Sequence, residues 1–197
     1  MNQPIDLFLL LDTSAASAGD PENILRNGLR SFFAELSTDR PALDAVRVSV
    51  IAYGGNPREL ASSVPLADFR LPDWTCEGPS NLRGGLRLLQ ERSGLSTPVG
   101  GQGPDATGAA RAKPIVLLAV GSAPETAAGT ISVPDTCILV DASGKDVRTA
   151  LLGTIDFGCV YSWAPDSAAA DWRQLFCSGF FPWREEEEDS DGNRISD

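Results

Sequence analysis

The sequence predicts an α/β protein built on an open, mainly parallel, doubly wound sheet with helices on both faces and one antiparallel edge strand. Three observations carry that expectation. The runs Ile5-Asp6-Leu7-Phe8-Leu9-Leu10-Leu11, Ile115-Val116-Leu117-Leu118-Ala119-Val120 and Cys137-Ile138-Leu139-Val140 are too short for helices and almost continuously apolar, as strands covered on both faces are. Between them lie segments whose apolar residues recur at helical spacing. Strand and helix therefore alternate, the order expected of parallel strands joined by crossover helices. At 197 residues, 42% hydrophobic and 22% charged, the chain has the size and composition of one globular core.

The first run, residues 5–11, belongs in the sheet interior. After a loop of small residues, 13–19, Asp20 is read as the cap of a helix with Pro21 at its first position and Ile24, Leu25, Leu29, Phe32, Phe33 and Leu36 along one side. Residues 46–53 form a second strand ended by Gly54-Gly55, and the more polar residues 58–64 pair with it as the antiparallel edge. Residues 81–91 read as a helix through Leu82, Leu86 and Leu89, with Ser80 as its cap. Residues 93–112, holding five glycines and two prolines, read as a surface loop. Strands at 115–120, 137–140 and 157–163, a short helix at 146–152 and a closing helix at 166–180 complete a single domain assigned to residues 1–183. Residues 184–197, with seven acids against two arginines, are expected to be an acidic, disordered tail.

Composition then removes whole classes of chemistry. The chain contains no histidine, which excludes Ser-His-Asp and Cys-His nucleophile systems and the commonest zinc ligand. Its net charge of −11 opposes nucleic acid and anionic membrane surfaces as partners. The four cysteines, Cys76, Cys137, Cys159 and Cys177, form no CxxC pair and are read as buried free thiols. The seven-residue apolar run near the N-terminus is too short for a leader peptide or a membrane span, so the expected location is the cytoplasm.

In open α/β sheets the functional crevice lies beyond the carboxyl ends of the strands, here after Leu11, Trp74, Val120 and Val140. After Leu11 the chain reads Asp12-Thr13-Ser14-Ala15-Ala16-Ser17. A carboxylate followed by hydroxyls on a tight loop suits a hard divalent cation, and it equally suits serines that satisfy loop amides ahead of a helix. This DxSxS-like turn resembles the opening of a von Willebrand factor A (vWA) domain, a Rossmann-like fold. Glu77-Gly78-Pro79-Ser80-Asn81-Leu82-Arg83-Gly84-Gly85-Leu86 is similar to the family's GGTxLGxAL segment, and the 113–121 strand is similar to the one that ends in Thr-Asp-Gly. The order of these segments most resembles the bacterial TerY-like, tellurite-resistance-associated subgroup, over roughly residues 3 to 182.

The resemblance implies a metal-ion-dependent adhesion site, and its positions carry over one by one. Asp12 and Ser14 agree with the first motif; its third polar position falls on Ala16, with Ser17 one residue late; Ser80 stands for the threonine; the later aspartate falls on Val120. The implied metal set is therefore Asp12, Ser14, Ser17 and Ser80, a degenerate site short of charge for dehydrating Mg2+ or Mn2+ unless Glu77, Glu125 or Asp141 substitutes. No cofactor is expected otherwise. The functional expectation is a non-enzymatic protein-interaction module of a bacterial stress-response or conflict system, with a kinase, phosphatase or other component of that system as partner, contacted around Ser14, Ser80 and Gly121. The alternatives are recognition of a partner carboxylate through a bound divalent ion, and a metal-dependent hydrolase.

Overall fold

The structure is a computed structural model and describes residues 4–93, 115–122, 137–143, 151 and 159–162. Among the described residues six strands form one sheet: β1 (Ile5–Leu11), β2 (Val46–Ala52), β3 (Arg58–Pro65), β4 (Ile115–Val120), β5 (Cys137–Asp141) and β6 (Cys159–Ser162). Their spatial order is β3-β2-β1-β4-β5-β6. All neighbours run parallel except β2 and β3, which are antiparallel. The apolar first run thus lies between β2 and β4, as expected, and the polar 58–64 segment is the antiparallel edge.

Burial explains that order. Every residue of β4 is buried, while no residue of β3 is. Phe8, Leu10, Ile51, Tyr53, Val116, Leu118, Val120 and Leu139 form one packed cluster with Leu82, Leu86 and Leu89 of α3 (Leu82–Ser93). The alternate residues Leu7, Leu9, Leu11, Val48 and Val50 are equally buried, so the sheet is covered on both sides. At the edge, the β2–β3 register shifts around Val48 and Val50, and the Ser63 amide donates to Ser49 Oγ at 2.9 Å. The resulting bulge, with Ser63 at φ 47, twists the free edge away from further pairing.

Three local expectations need correction. α1 (Asp20–Leu36) begins one residue early: Gly19, at φ 90, occupies the cap position and no side chain caps the helix, while Asp20 lies in the first turn. α3 is capped by Asn81, not Ser80, because the Asn81 side-chain oxygen accepts the Gly84 amide at 3.0 Å. Trp74 follows no strand. It lies in the long return from β3 to α3, and the strand end at that place in the sheet is Ala52. A helix absent from the sequence reading, α2 (Arg40–Ala45), is nucleated by Asp39, whose carboxylate accepts the Ala42 amide at 3.2 Å.

That return is tied down by side chains. Arg26 of α1 lies 4.0 Å over the Trp74 ring, donates to the Trp74 carbonyl at 3.0 Å and pairs with Glu22 at 2.8 Å. Phe69 packs on Phe33 with ring centroids 4.6 Å apart. These contacts deliver residues 77–81 to the carboxyl end of β1. The helix expected at 146–152 is described only at Leu151, which is helical and buried. The 93–112 loop beyond Ser93, the 166–180 helix, Cys177 and the 184–197 tail lie outside the described residues. No helix among the described residues is long and apolar enough to cross a membrane.

Candidate functional site

Four chain segments meet at the carboxyl end of β1. Asp12 follows the strand directly and is buried. Its Oδ1 accepts the Ser14 amide at 3.0 Å, the self-bonded turn that an Asp-x-Ser sequence favours. Its Oδ2 accepts three donors from the segment after β4: Gly121 N at 3.3 Å, Ser122 N at 3.1 Å and Ser122 Oγ at 2.8 Å. A 3₁₀ turn over Ala15–Ser17 then brings Ser17 back, so that Ser14 Oγ lies 3.3 Å from Ser17 Oγ and 3.2 Å from Ser122 Oγ. The turn thus places Ser17, not Ala16, beside Ser14.

Glycine makes the close approaches possible. A Cβ on Gly54 would sit 2.1 Å from the Thr13 carbonyl oxygen, and the Gly54 amide donates to Thr13 Oγ1 at 3.0 Å. A Cβ on Gly121 would meet Ser17 Cβ and Oγ at 2.8 Å. Residues 77–80 join through main-chain bonds: Glu77 N to Thr13 O at 2.8 Å, Ala15 N to Gly78 O at 2.9 Å and Gly55 N to Pro79 O at 2.8 Å.

Beneath these loops runs a row of side chains on one face of the sheet, made of Tyr53, Asp12, Val120 and Asp141. The register pairs Val120 with Asp141, and Asp12 N donates to Ala119 O at 2.9 Å. Asp141 repeats the Asp12 motif on its own strand, with Oδ1 accepting Ser143 N at 2.8 Å and Ser143 Oγ at 2.6 Å. Tyr53 donates its hydroxyl to Ala119 O at 3.2 Å. Burial pushes its phenol well above the usual range, and the nearby charges of Asp12 and then Asp141 push it further.

No family model matches the sequence, and no curated protein matches it. Solved structures do match. The SpRpn10 VWA domain superposes with a TM-score of 0.51 at 11% identity, over 87% of this chain and 95% of that one. VWA2, an ArnB paralog from Sulfolobus acidocaldarius, gives 0.51 at 13% identity, over 86% of this chain and 44% of that one. The chain has the von Willebrand factor A fold. The pilus adhesin SpaC from Lactobacillus rhamnosus GG is also similar, with a TM-score of 0.58 at 12% identity over 91% of this chain and 30% of that one. This chain therefore spans nearly all of the Rpn10 domain but less than half of the other two.

Within the vWA fold, the sequence-derived residues divide. Asp12, Ser14, Ser17 and Gly121 come together in one closely packed, hydrogen-bonded group; the Ser80 side chain makes no hydrogen bond to it. Ser80 forms an isolated bridge with Gly54, and its Oγ is buried without a partner. Ser14 and Ser17 are fully buried, so the outward surface of these loops is Ala15, Ala16 and Ala18 together with Glu77, Gly78 and Pro79, all exposed. Glu77 points its carboxylate to Arg58, 3.9 Å away at the surface, and Asp141 is engaged by Ser143; neither completes a cation set with Asp12. Glu125 lies outside the described residues. Ser122, which makes the closest contact to Asp12, was missed by the sequence reading; its signal was a Gly-Ser pair directly after a buried strand.

Among the described residues, those grouped around Asp12 do not make up a divalent-cation set. Asp12 is the sole carboxylate of the cluster and its oxygens already hold four donors, Ser14, Ser17 and Ser122 are within reach of one another, and Val120 contributes hydrocarbon. Among the described residues no three His, Cys, Asp or Glu side chains are grouped to hold a metal. Beside this cluster the Ser80 hydroxyl is buried without a partner and is free to meet a further ligand; among the described residues the Trp74 indole N–H is orphaned in the same way.

Proposed function

We propose that this chain is a non-enzymatic protein-interaction module whose recognition surface is formed by the loops after β1 and before α3, and that it binds its partner without a cation bridge. The observation that carries the reading is the hydrogen-bond closure of Asp12: the residue that would hold a bridging cation is spent on fixing loops. Loops fixed on a rigid sheet, with exposed small residues at Ala15, Ala16 and Ala18 beside Glu77, Gly78 and Pro79, leave room for a partner's side chains. The sequence resemblance to the TerY-like subgroup supports a bacterial stress-response or conflict system, a cytoplasmic setting, and a kinase, phosphatase or other component of that system as partner.

The experiment is a pull-down from the native host in EDTA, followed by affinity measurement with the identified partner. Ala16→Arg combined with Glu77→Arg should weaken binding at least about tenfold, a loss of ~1.4 kcal/mol. Unchanged affinity in that variant, with loss on deleting residues 184–197, would move the recognition surface to the tail. A cation-bridged contact with a partner carboxylate has the Ser80 hydroxyl on its side. Binding that disappears in EDTA and returns with Mg2+ would establish it instead.

A further inference from the structure

We propose that Ser122 is the chain's own substitute for a cation at Asp12: its hydroxyl and amide close the carboxylate and lock the loop after β4 onto the loop after β1. This deepens the cation-free reading above and rests on it, but its test needs no partner.

The hydrogen-bond directions follow from proton counting. A carboxylate only accepts, and a serine hydroxyl has one proton to give. Ser122 gives its proton to Asp12 Oδ2 at 2.8 Å. Toward Ser14 Oγ, 3.2 Å away, it can then only accept, so Ser14 is the donor there. Ser14, having given its proton, accepts from Ser17 at 3.3 Å. The three hydroxyls form one directed chain, Ser17 to Ser14 to Ser122 to Asp12, which ends on the single negative charge of the cluster. Chains of this kind strengthen one another where water is excluded, and Asp12, Ser14 and Ser17 are each no more than 1% exposed.

The backbone is fitted to the same end. Gly121 lies against Ser17 with no room for a Cβ, which lets the next residue reach Asp12 with both its amide and its hydroxyl. Val120, on β4 immediately before, brings no second charge that would demand a cation. Two loops more than a hundred residues apart in sequence are thereby held by one side chain.

The test is thermal unfolding of the full chain in EDTA and in about 5 mM MnCl2, for the native protein, Ser122→Ala and Ser122→Thr. The native midpoint should be the same in both buffers to within about 1 °C. Ser122→Ala should lose about 5 °C in both, and Ser122→Thr, which keeps the hydroxyl, less than half of that. A native midpoint raised by more than about 3 °C with Mn2+ would overturn the proposal. So would a Ser122→Ala protein as stable as the native one. If Ser122→Ala does not fold, hydrogen exchange on the native protein decides: the Ser14, Gly121 and Ser122 amides should be protected in EDTA. Fast exchange of those amides without metal would overturn it equally, and neither outcome depends on whether a partner binds.

Discussion

Asp12→Asn changes charge and hydrogen-bond character at the centre of the site without changing its shape, so its cost isolates the carboxylate. The native group takes one donor on Oδ1, Ser14 N at 3.0 Å, and three on Oδ2, from Gly121 and Ser122. An asparagine has one acceptor oxygen and must choose. Three donors outweigh one, so the amide oxygen turns toward Gly121 and Ser122 and the amide nitrogen faces the Ser14 N–H. That leaves a buried donor unpaired, at a cost of about 1–3 kcal/mol. The three remaining bonds pass from a charged to a neutral acceptor and lose roughly half their strength. Because a neutral amide costs less to bury than a carboxylate, part of this is offset, and the net loss is about 2–4 kcal/mol, or roughly 5–15 °C in midpoint for a chain of this size. Urea unfolding followed by circular dichroism measures it, with an unchanged m value as the sign that the native state is otherwise intact. A variant within about 0.5 kcal/mol of the native protein would refute the claim that this carboxylate holds the loops. A loss seen only with Mn2+ present would show that it acts through a cation.

Gly54→Ala should destabilise by about 3 kcal/mol or more, because the added Cβ meets the Thr13 backbone, which no rotamer change can relieve; urea unfolding measures this, and a neutral outcome would deny the close approach. Tyr53→Phe should cost only about 0.5–1 kcal/mol at neutral pH, since Ala119 O keeps its bond from Asp12 N, and it should flatten the loss of stability above pH ~10. The sign follows from the raised phenol: the unfolded tyrosine ionises first, so native stability is complete below the ordinary value and falls as pH rises toward the folded one. Burial likewise pushes the Cys137 thiol up to about 12, so stability should fall between pH ~8.5 and that value and fall less in Cys137→Val. Cys76, half-buried and also pushed up to about 12 by burial and Glu22, should resist iodoacetamide at pH ~8 in the folded protein and react once unfolded; equal rates would contradict this placement.

The parts of the fold legible in the sequence were those fixed by burial along a single segment. β1 and β4 announce themselves because both faces are covered and all positions but the half-buried Asp6 are apolar, and β3 because an edge strand keeps polar residues. Helix ends were less legible because neighbouring residues competed for one role. Ser80 and Asn81 both cap well, and only the path set by Gly54 and Gly55 decides that Asn81 reaches Gly84 while Ser80 pairs with Gly54. The site was half legible for the same kind of reason. Asp12 and Ser14 interact across two residues, within reach of a motif, whereas Ser122 reaches Asp12 from the far side of the 93–112 segment, and the Gly-Ser pair after its strand does not say which carboxylate it meets.

Val120 and Ser122 are best understood together. An acid at position 120 would face Asp12 on one side and Asp141 on the other, since Val120 stands beside Asp141 in the register and on the same face of the sheet as Asp12. Three buried carboxylates in a row repel strongly and are stable only with a cation or bound protons. With valine there, each remaining carboxylate is one isolated charge, and one isolated charge can be satisfied by neutral donors. Asp141 finds them in Ser143, and Asp12 finds them in Ser14, Gly121 and Ser122. Val120→Asp should therefore destabilise by about 3–5 kcal/mol in EDTA, the cost of an unpaired buried charge. Unfolding in EDTA against Mn2+ is the measurement, and Mn2+ should restore part of the loss in this variant while leaving the native protein unmoved. A Val120→Asp protein as stable as the native one in EDTA would mean that the row tolerates a third carboxylate, and that valine and serine at 120 and 122 are unconnected.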